Sequence, residues 1–337
     1  MFSKLTKISF VVSLLFCQSA LARDYIRMAG SSTVYPFART IAKEFSDNTN
    51  FKAPVVESTG TGGGFKLFCA GVGENFIDFA NASRKIEPSE IDTCKKNGVK
   101  NIVEIKIGYD GIVFASSVAS KPYNLTKEEL FLALAKEVPV NGKLVANPNK
   151  KWSDINKALP DKEIAIYGPP TTSGTRDALT ELVMEDVCLN NATFVTKYAD
   201  KDARKKACHV IRSDGKYIEA GENDNLIVQK LKNNADALGI FGYSFLEQNA
   251  KIVQGAKISG VAPTFENIAS NKYKVSRPLF IYFKKEHLAT VNGMKDFIKE
   301  IVNEKTIGNK GYLIEKGLIP AHANDIAKMK KEILGGL

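Results

Sequence analysis

Histidine is nearly missing from this chain: three occur in 337 residues, His209, His287 and His322, and they are scattered. The five cysteines are spread out as well, so no Cys/His cluster has the spacing of metal ligands, and no metal site is expected. With so few histidines, a Ser-His-Asp arrangement could arise only by accident of folding. No Gly-x-Ser-x-Gly elbow surrounds any serine of the loops described below. Residues 60–66 have the composition of a phosphate-binding P-loop, but Phe65 stands where the final glycine should precede Lys66. The dinucleotide spacing fails at the same residue. Ser213-Asp214-Gly215-Lys216 fits Ser-x-x-Lys, yet no Lys-Thr-Gly partner supports it. These absences argue against an enzyme and imply no cofactor.

Long apolar runs are missing too. The N-terminal run, residues 10–16, is too short to span a bilayer. It follows Lys4 and Lys7 and precedes Ala20-Leu21-Ala22, so residues 1–22 read as a secretory signal peptide cleaved before Arg23. A lipoprotein reading through Cys17 is weaker, because bulky Phe16 stands where a small residue is wanted. The expected mature chain is soluble, exported and periplasmic. It has 315 residues and, with two lysines removed, a formal charge of +8 in place of +10. That length suffices for two lobes with cores of their own.

Four cysteines remain: Cys69, Cys94, Cys188 and Cys208. An even count in an oxidising compartment argues for disulfides, although four cysteines allow three pairings. Cys69–Cys94 and Cys188–Cys208 are favoured, because each closes a short loop inside one predicted lobe. The positive charge gathers at Lys201, Arg204, Lys205 and Lys206 and at Lys328, Lys330 and Lys331. Without interleaved aromatics these runs read as solvated helix faces, and no nucleic-acid partner is expected. A basic field steers small anions without identifying one.

What the chain does have is hydroxyls and glycines at the ends of strands. Residues 168–177, Gly-Pro-Pro-Thr-Thr-Ser-Gly-Thr-Arg-Asp, sit between an apolar run at 164–167 and an amphipathic segment at 177–187. Strand, tight loop and helix start are expected there. Unpaired N–H groups and the helix dipole make such an end an anion site, although Ser and Thr also serve as plain caps. The same chemistry recurs. A strand at 24–29 ends in Gly30-Ser31-Ser32-Thr33-Val34-Tyr35-Pro36 before a helix reaching about 46. A strand at 54–58 ends in Thr59-Gly60-Thr61-Gly62-Gly63-Gly64, and one at 76–79 ends in Asn81-Ala82-Ser83-Arg84.

Residues 103–116 read as a strand passing from one lobe to the other, and Arg277 to Phe283 as the return crossing. Thr126 and Glu129 form a capping box. Helices are predicted at 226–233 and 243–248, flanking a strand at 238–241, and three more begin near 291, 306 and 321. The alternation predicts an α/β fold with largely parallel sheets. Ligands of open α/β sheets bind beyond the carboxyl ends of the strands, where these loops lie. Glycine permits close approach of backbone N–H groups, hydroxyls donate or accept, and a guanidinium grips two oxygens at once. Together they suit a small tetrahedral anion.

These motifs, together with Ser276-Arg277-Pro278-Leu279, resemble those of the periplasmic phosphate-binding proteins of phosphate ABC transporters, the PstS-like family. The likeness runs over about residues 25–317. It implies a type II periplasmic binding fold, two α/β lobes joined by crossing strands, with residues 23–112 and 280–337 in one lobe and 113–279 in the other. It further implies a monomer that captures inorganic phosphate without chemistry and delivers it to the membrane permease subunits. The alternatives are an exported phosphate-ester hydrolase or transferase, or the same fold with another oxyanion such as sulfate.

Carried over position by position, the resemblance makes Ser32, Thr33, Thr61, Gly62, Ser173, Gly174 and Thr175 ligand residues. Better-known members place an aspartate where Ser83 and Arg84 stand here, and an arginine a few residues before the Ser-Gly-Thr, where this chain has Pro169 and Pro170. Ser83 is expected among the ligand residues, and the guanidinium from Arg84, assisted by Arg176. Asp110, Asp78 and Asp177 are candidates for the carboxylate that accepts the proton of hydrogen phosphate, with Asp110 preferred.

Overall fold

The computed structural model describes residues 23–221 and 224–337. The expected signal peptide lies outside the described residues.

The frame is one nine-stranded sheet, and its central member is the sixteen-residue strand Ile102–Ser117. Its apolar residues run on instead of alternating, as suits a strand covered on both faces. From Ile107 to Ser117 every residue is buried except Asp110. The half of this strand up to Gly111 pairs antiparallel with the return strand Ser276–Lys284, which in turn pairs with Phe79–Ala82. Beyond these, Arg27–Gly30 and Val55–Ser58 continue the sheet in parallel. The other half pairs antiparallel with Leu238–Gly242, followed in parallel by Ile166–Gly168 and Tyr217–Glu219. Parallel sheets are thus found on either flank, as expected. Both crossing strands, however, run antiparallel to their neighbours and join the flanks into a single sheet.

Helices cover this frame. Tyr35–Asp47 has proline in its first turn and buries Phe37, Ile41 and Phe45. Thr126 and Glu129 make the reciprocal cap expected of them, in front of helix Lys127–Leu134. The segment predicted as one helix over 177–187 begins earlier, at Gly174, and runs to Cys188 with a π-helical stretch, Thr180–Glu185, in its middle. Both expected disulfides are present, Cys69–Cys94 and Cys188–Cys208. The hairpin Glu137–Val140 with Lys143–Ala146 was not anticipated. Its turn residues, Asn141 and Gly142, have φ of 50° and 74°, the left-handed pair that an Asn-Gly hairpin turn requires.

Two close approaches hold the crossing region. A Cβ on Gly30, whose φ is 146°, would lie 2.0 Å from the carbonyl oxygen of Asn81, so only glycine lets these strand ends meet. A C-terminal strap, the 3₁₀ turn Tyr312–Lys316 followed by Gly317, crosses the long strand. Tyr109 N donates to Ile319 O at 2.8 Å, and Ile319 N donates back at 3.0 Å. Beside this contact the return strand shifts register between Leu279 and Phe280, the kind of bulge that re-aims side chains next to a site.

Where the strands begin lies a buried polar cluster. Asp78, one of the three carboxylates considered from sequence, is fully buried there. It accepts from Arg27 N at 2.7 Å and pairs with the guanidinium of Arg23. His287 Nε2 accepts from Gly73 N at 3.0 Å, so Nδ1 carries the ring proton and donates to Asp78 Oδ1 at 2.6 Å. Lys284 Nζ donates to Gly71 O at 2.6 Å, and burial lowers this lysine to about 8. Asp78 therefore anchors the base of the sheet, its oxygens taken up by these partners.

Candidate functional site

At the carboxyl ends of the strands, loops from both flanks meet. Thr33, Asp110, Ser173, Gly174 and Thr175 line one cavity of about 320 Å³, with Phe37, Ser244 and the strap residues Glu315, Lys316 and Gly317 on its other walls. The approach is close: a Cβ on Gly174 would stand 3.9 Å from Thr33 Cα. Ser173 caps its helix, its Oγ accepting from Thr175 N at 3.2 Å. From the other side Ser32 faces Asp177 and favours the charged form of its carboxyl. The helix start singled out from sequence therefore works both as a cap and as one wall of a cleft.

The guanidinium next to this cleft belongs to Arg277, expected from sequence as the start of the return strand and as part of the Ser276-Arg277-Pro278-Leu279 motif, with no ligand role. Arg277 stands opposite Asp110 in the crossing ladder. Its Nη2 donates to Thr33 Oγ1 at 2.6 Å, and its Nη1 meets Glu181 on the π-helical turn. Nε lies 3.5 Å from Asp110 Oδ2, too far for a hydrogen bond, and both atoms are buried without another partner. Such unsatisfied atoms are costly in a fold and mark where a ligand's polar atoms fit. Ser244 Oγ, on the wall of the same cavity, is likewise buried and unpaired. The signal for Arg277 was present: a charged residue inside a buried apolar strand must be paired or functional.

Neither arginine expected from sequence turns toward the cavity. Arg84 grips Glu90 with two hydrogen bonds of 2.8 Å, lies 3.4 Å from Glu87 and covers the ring of Phe65. Its guanidinium is used up at the start of the next helix, where acidic residues are favoured by the dipole. Arg176 donates to Pro169 O at 3.2 Å, stacks over Tyr217 and faces Glu219. Thr61 and Ser83, both expected as ligand residues, bond to each other: Thr61 Oγ1 accepts from Ser83 N at 3.1 Å and lies 3.1 Å from Ser83 Oγ. Gly62 is exposed beside them. This trio forms a corner of the same edge and does not line the cavity.

Two carboxyl groups are shifted upward, that of Asp110 in the cleft and that of Asp177 in the first turn of the helix beside it. Burial is the main cause for Asp110, opposed by Arg277 and reinforced by Glu181. Burial also leads for Asp177, where Ser32 and Arg277 oppose it and Glu181 adds to it. Each thus holds a proton more readily than an exposed aspartate and can donate or accept, depending on what it faces. The cleft combines a helix start, the four hydroxyls of Thr33, Ser173, Thr175 and Ser244, the Arg277 guanidinium held against Thr33 and the carboxyl of Asp110, a set suited to holding a tetrahedral oxyanion.

Residues 18–305 match the PBP superfamily domain. Among curated relatives, the protein SphX of Synechococcus elongatus is 29% identical over 328 residues, which is 95% of this chain and 85% of the relative. The phosphate-binding protein PstS of Staphylococcus saprophyticus is 33% identical over 282 residues, 82% of this chain and 75% of the relative. Of solved structures, a possible phosphate-binding protein from Planctomyces limnophilus superposes with a TM-score of 0.75 at 31% identity, covering 94% of this chain and 99% of its own. An ABC-type phosphate transport receptor from Vibrio cholerae shares the fold at a TM-score of 0.58 and 19% identity, over 88% and 99% of the two chains.

Proposed function

Since the chain belongs to the PstS-like family of phosphate-binding proteins, we propose that it captures inorganic phosphate in the cleft between its lobes and delivers it to the permease of an ABC transporter. The observation that carries this is the convergence of Thr33 and the Ser173-Gly174-Thr175 helix start on one cavity, with the Arg277 guanidinium hydrogen-bonded to Thr33. Thr33, Ser173 and Thr175 offer hydroxyls, Gly174 offers its N–H group, and Arg277 supplies the positive charge. Asp110, whose Oδ2 makes no hydrogen bond, accepts one from a protonated oxygen of the anion. A carboxylate in that place rejects sulfate, which brings no proton and leaves a buried acceptor unmatched.

Thr61, Gly62 and Ser83 brace the neighbouring strand ends. The lobes comprise residues 23–112 with 280–337, and 113–279. Support for this division comes from the long strand, which changes pairing partner at Ile112. Closure is a hinge motion of the crossing strands, and the protein works as a monomer by binding and release, without catalysis. An exported, extracytoplasmic setting accords with the N-terminal pattern and the two disulfides. Among the described residues no helix is long and apolar enough to cross a membrane.

Titration calorimetry with phosphate, sulfate and arsenate, run beside a phosphatase assay, tests the proposal. Saturable binding of phosphate and arsenate without turnover is expected. Turnover of a phosphate ester without saturable phosphate binding would reject it, and tighter sulfate than phosphate binding would reassign the ligand.

A further inference from the structure

Behind the strap lies a second cavity. Ser244 stands in the partition: it lines the anion cleft and also a separate cavity of about 330 Å³, walled by Tyr243, Glu247 and Phe265. The strap closes another side of this rear cavity with Ile314 and Leu318. A Cβ on Gly317 would lie 3.8 Å from Ser244 Oγ, so the strap passes close to this hydroxyl. Ser244 Oγ is buried and has no partner. A buried hydroxyl left unmatched marks a place for a polar group.

The walls of the rear cavity suit a cation. Tyr243 and Glu247 stand one turn apart on helix Tyr243–Gln248, and the phenol donates to Glu247 Oε1 at 2.7 Å. Burial and the Glu247 carboxylate raise the phenol well above its ordinary value, and Glu266 adds to this. Tyr243 is therefore a neutral donor that orients a charged acceptor. Phe265 supplies a second aromatic ring, held in a T-shaped contact with His322 whose centroids are 5.0 Å apart. The chain is basic, yet among the described residues no lysine or arginine lines this cavity. Lys310, just before the strap, and Lys316, on it, line the neighbouring cavities instead. Aromatic rings beside a carboxylate attract an organic ammonium ion, whereas an anion finds no positive charge there. We propose that the rear cavity binds a small organic ammonium cation, its charge against Tyr243, Phe265 and the Glu247 carboxylate and a polar arm reaching Ser244 Oγ. This site is separate from the anion cleft and does not depend on what that cleft holds.

The test is calorimetric titration of the full mature chain with choline, a quaternary ammonium ion that also carries a hydroxyl. Saturable binding with a Kd of about 5 mM or tighter is expected. The neutral analogue of choline, with carbon in place of nitrogen, keeps the shape and loses the charge. It should bind at least about tenfold more weakly. Glu247→Gln and Phe265→Leu should each weaken choline binding by about fivefold or more. Glu247 is exposed, so its replacement should leave the fold intact, and Phe265→Leu reads the same site through a different group. Absence of saturable choline binding overturns the proposal. So does equal binding of choline and its neutral analogue, which would leave only an apolar cavity. Choline binding unchanged in both variants would place the cation elsewhere and overturn it as well.

Discussion

Arg277 and Thr33 stand 244 residues apart in the chain, yet Arg277 Nη2 donates to Thr33 Oγ1 at 2.6 Å. That bond ties the return strand to the first loop of the sheet and fixes the guanidinium at the point where both flanks of the molecule meet. With Glu181 on the opposite side, the arginine is gripped from both flanks.

The two candidate arginines should separate cleanly. Arg277→Ala removes a buried charge and strands Asp110 and Glu181. Loss of phosphate binding by about 2–5 kcal/mol is expected, at least roughly thirtyfold in Kd. Arg84→Ala breaks an ion pair with Glu90 away from the cavity and should change Kd by less than about threefold. Calorimetry on both variants decides it; equal losses would return Arg84 to the site.

Asp110 is expected to trade stability for binding. Its folded pKa is raised mainly by burial. A carboxyl raised in this way opposes folding at neutral pH, and that penalty is relieved as pH falls through its folded value. Asp110→Asn should therefore melt about 2 °C or more above the parent near neutral pH. The advantage should narrow on acidification, and phosphate should bind more weakly. Thermal melts across pH check the sign, and a variant that melts lower at neutral pH contradicts it.

Asp78 is predicted to matter for folding alone. Replacing it with Ala would leave Arg23 and His287 without their buried partner, and breaking a buried pair costs about 3–5 kcal/mol. Chemical denaturation should show that loss, while the folded fraction keeps its phosphate Kd. A weakened Kd at unchanged stability would mean that the cluster communicates with the cleft.

Each disulfide closes a loop of similar size, with separations of 25 and 20 residues. Removing either with a double Cys→Ser change should cost roughly 3 kcal/mol in the chain-entropy view. Cys188–Cys208 ends the helix that carries Ser173 and Glu181, so its loss should also loosen phosphate binding. Loss of Cys69–Cys94, which joins helices on the outer side of the first strands, should leave Kd unchanged. Melts and titrations of the two double variants test the contrast.

Much of the fold was legible because its signals are local. The continuous apolar run at 103–116 marked a buried crossing strand, and the Thr126–Glu129 box marked a helix start. Tyr243–Gln248 emerged as predicted. What sequence could not supply was partnership over distance. Arg84 and Arg277 each follow a serine at a strand terminus, and nothing local says that Glu90, three residues into a helix, claims the first. Glu181 was hidden for a related reason: an ordinary helical period does not reveal a π-helical turn, so its reach toward Arg277 emerges only in three dimensions. The Asn141-Gly142 hairpin is different. Its turn signal was local and readable, and it was passed over beside the stronger motifs around it.

The antiparallel pairing along Ile102–Ser117 has a mechanical consequence. Since the same strand is hydrogen-bonded into the sheet on both flanks, the flanks cannot swing apart as bodies on a slack tether. Opening must be taken up as twist distributed along a stiff ribbon, which behaves as a torsion spring with a preferred angle. The resting aperture is then a property of the strand's own side chains and of the strap bound at Tyr109. Substitutions there, far from any ligand atom, would reset how wide the cleft stands before anything enters it.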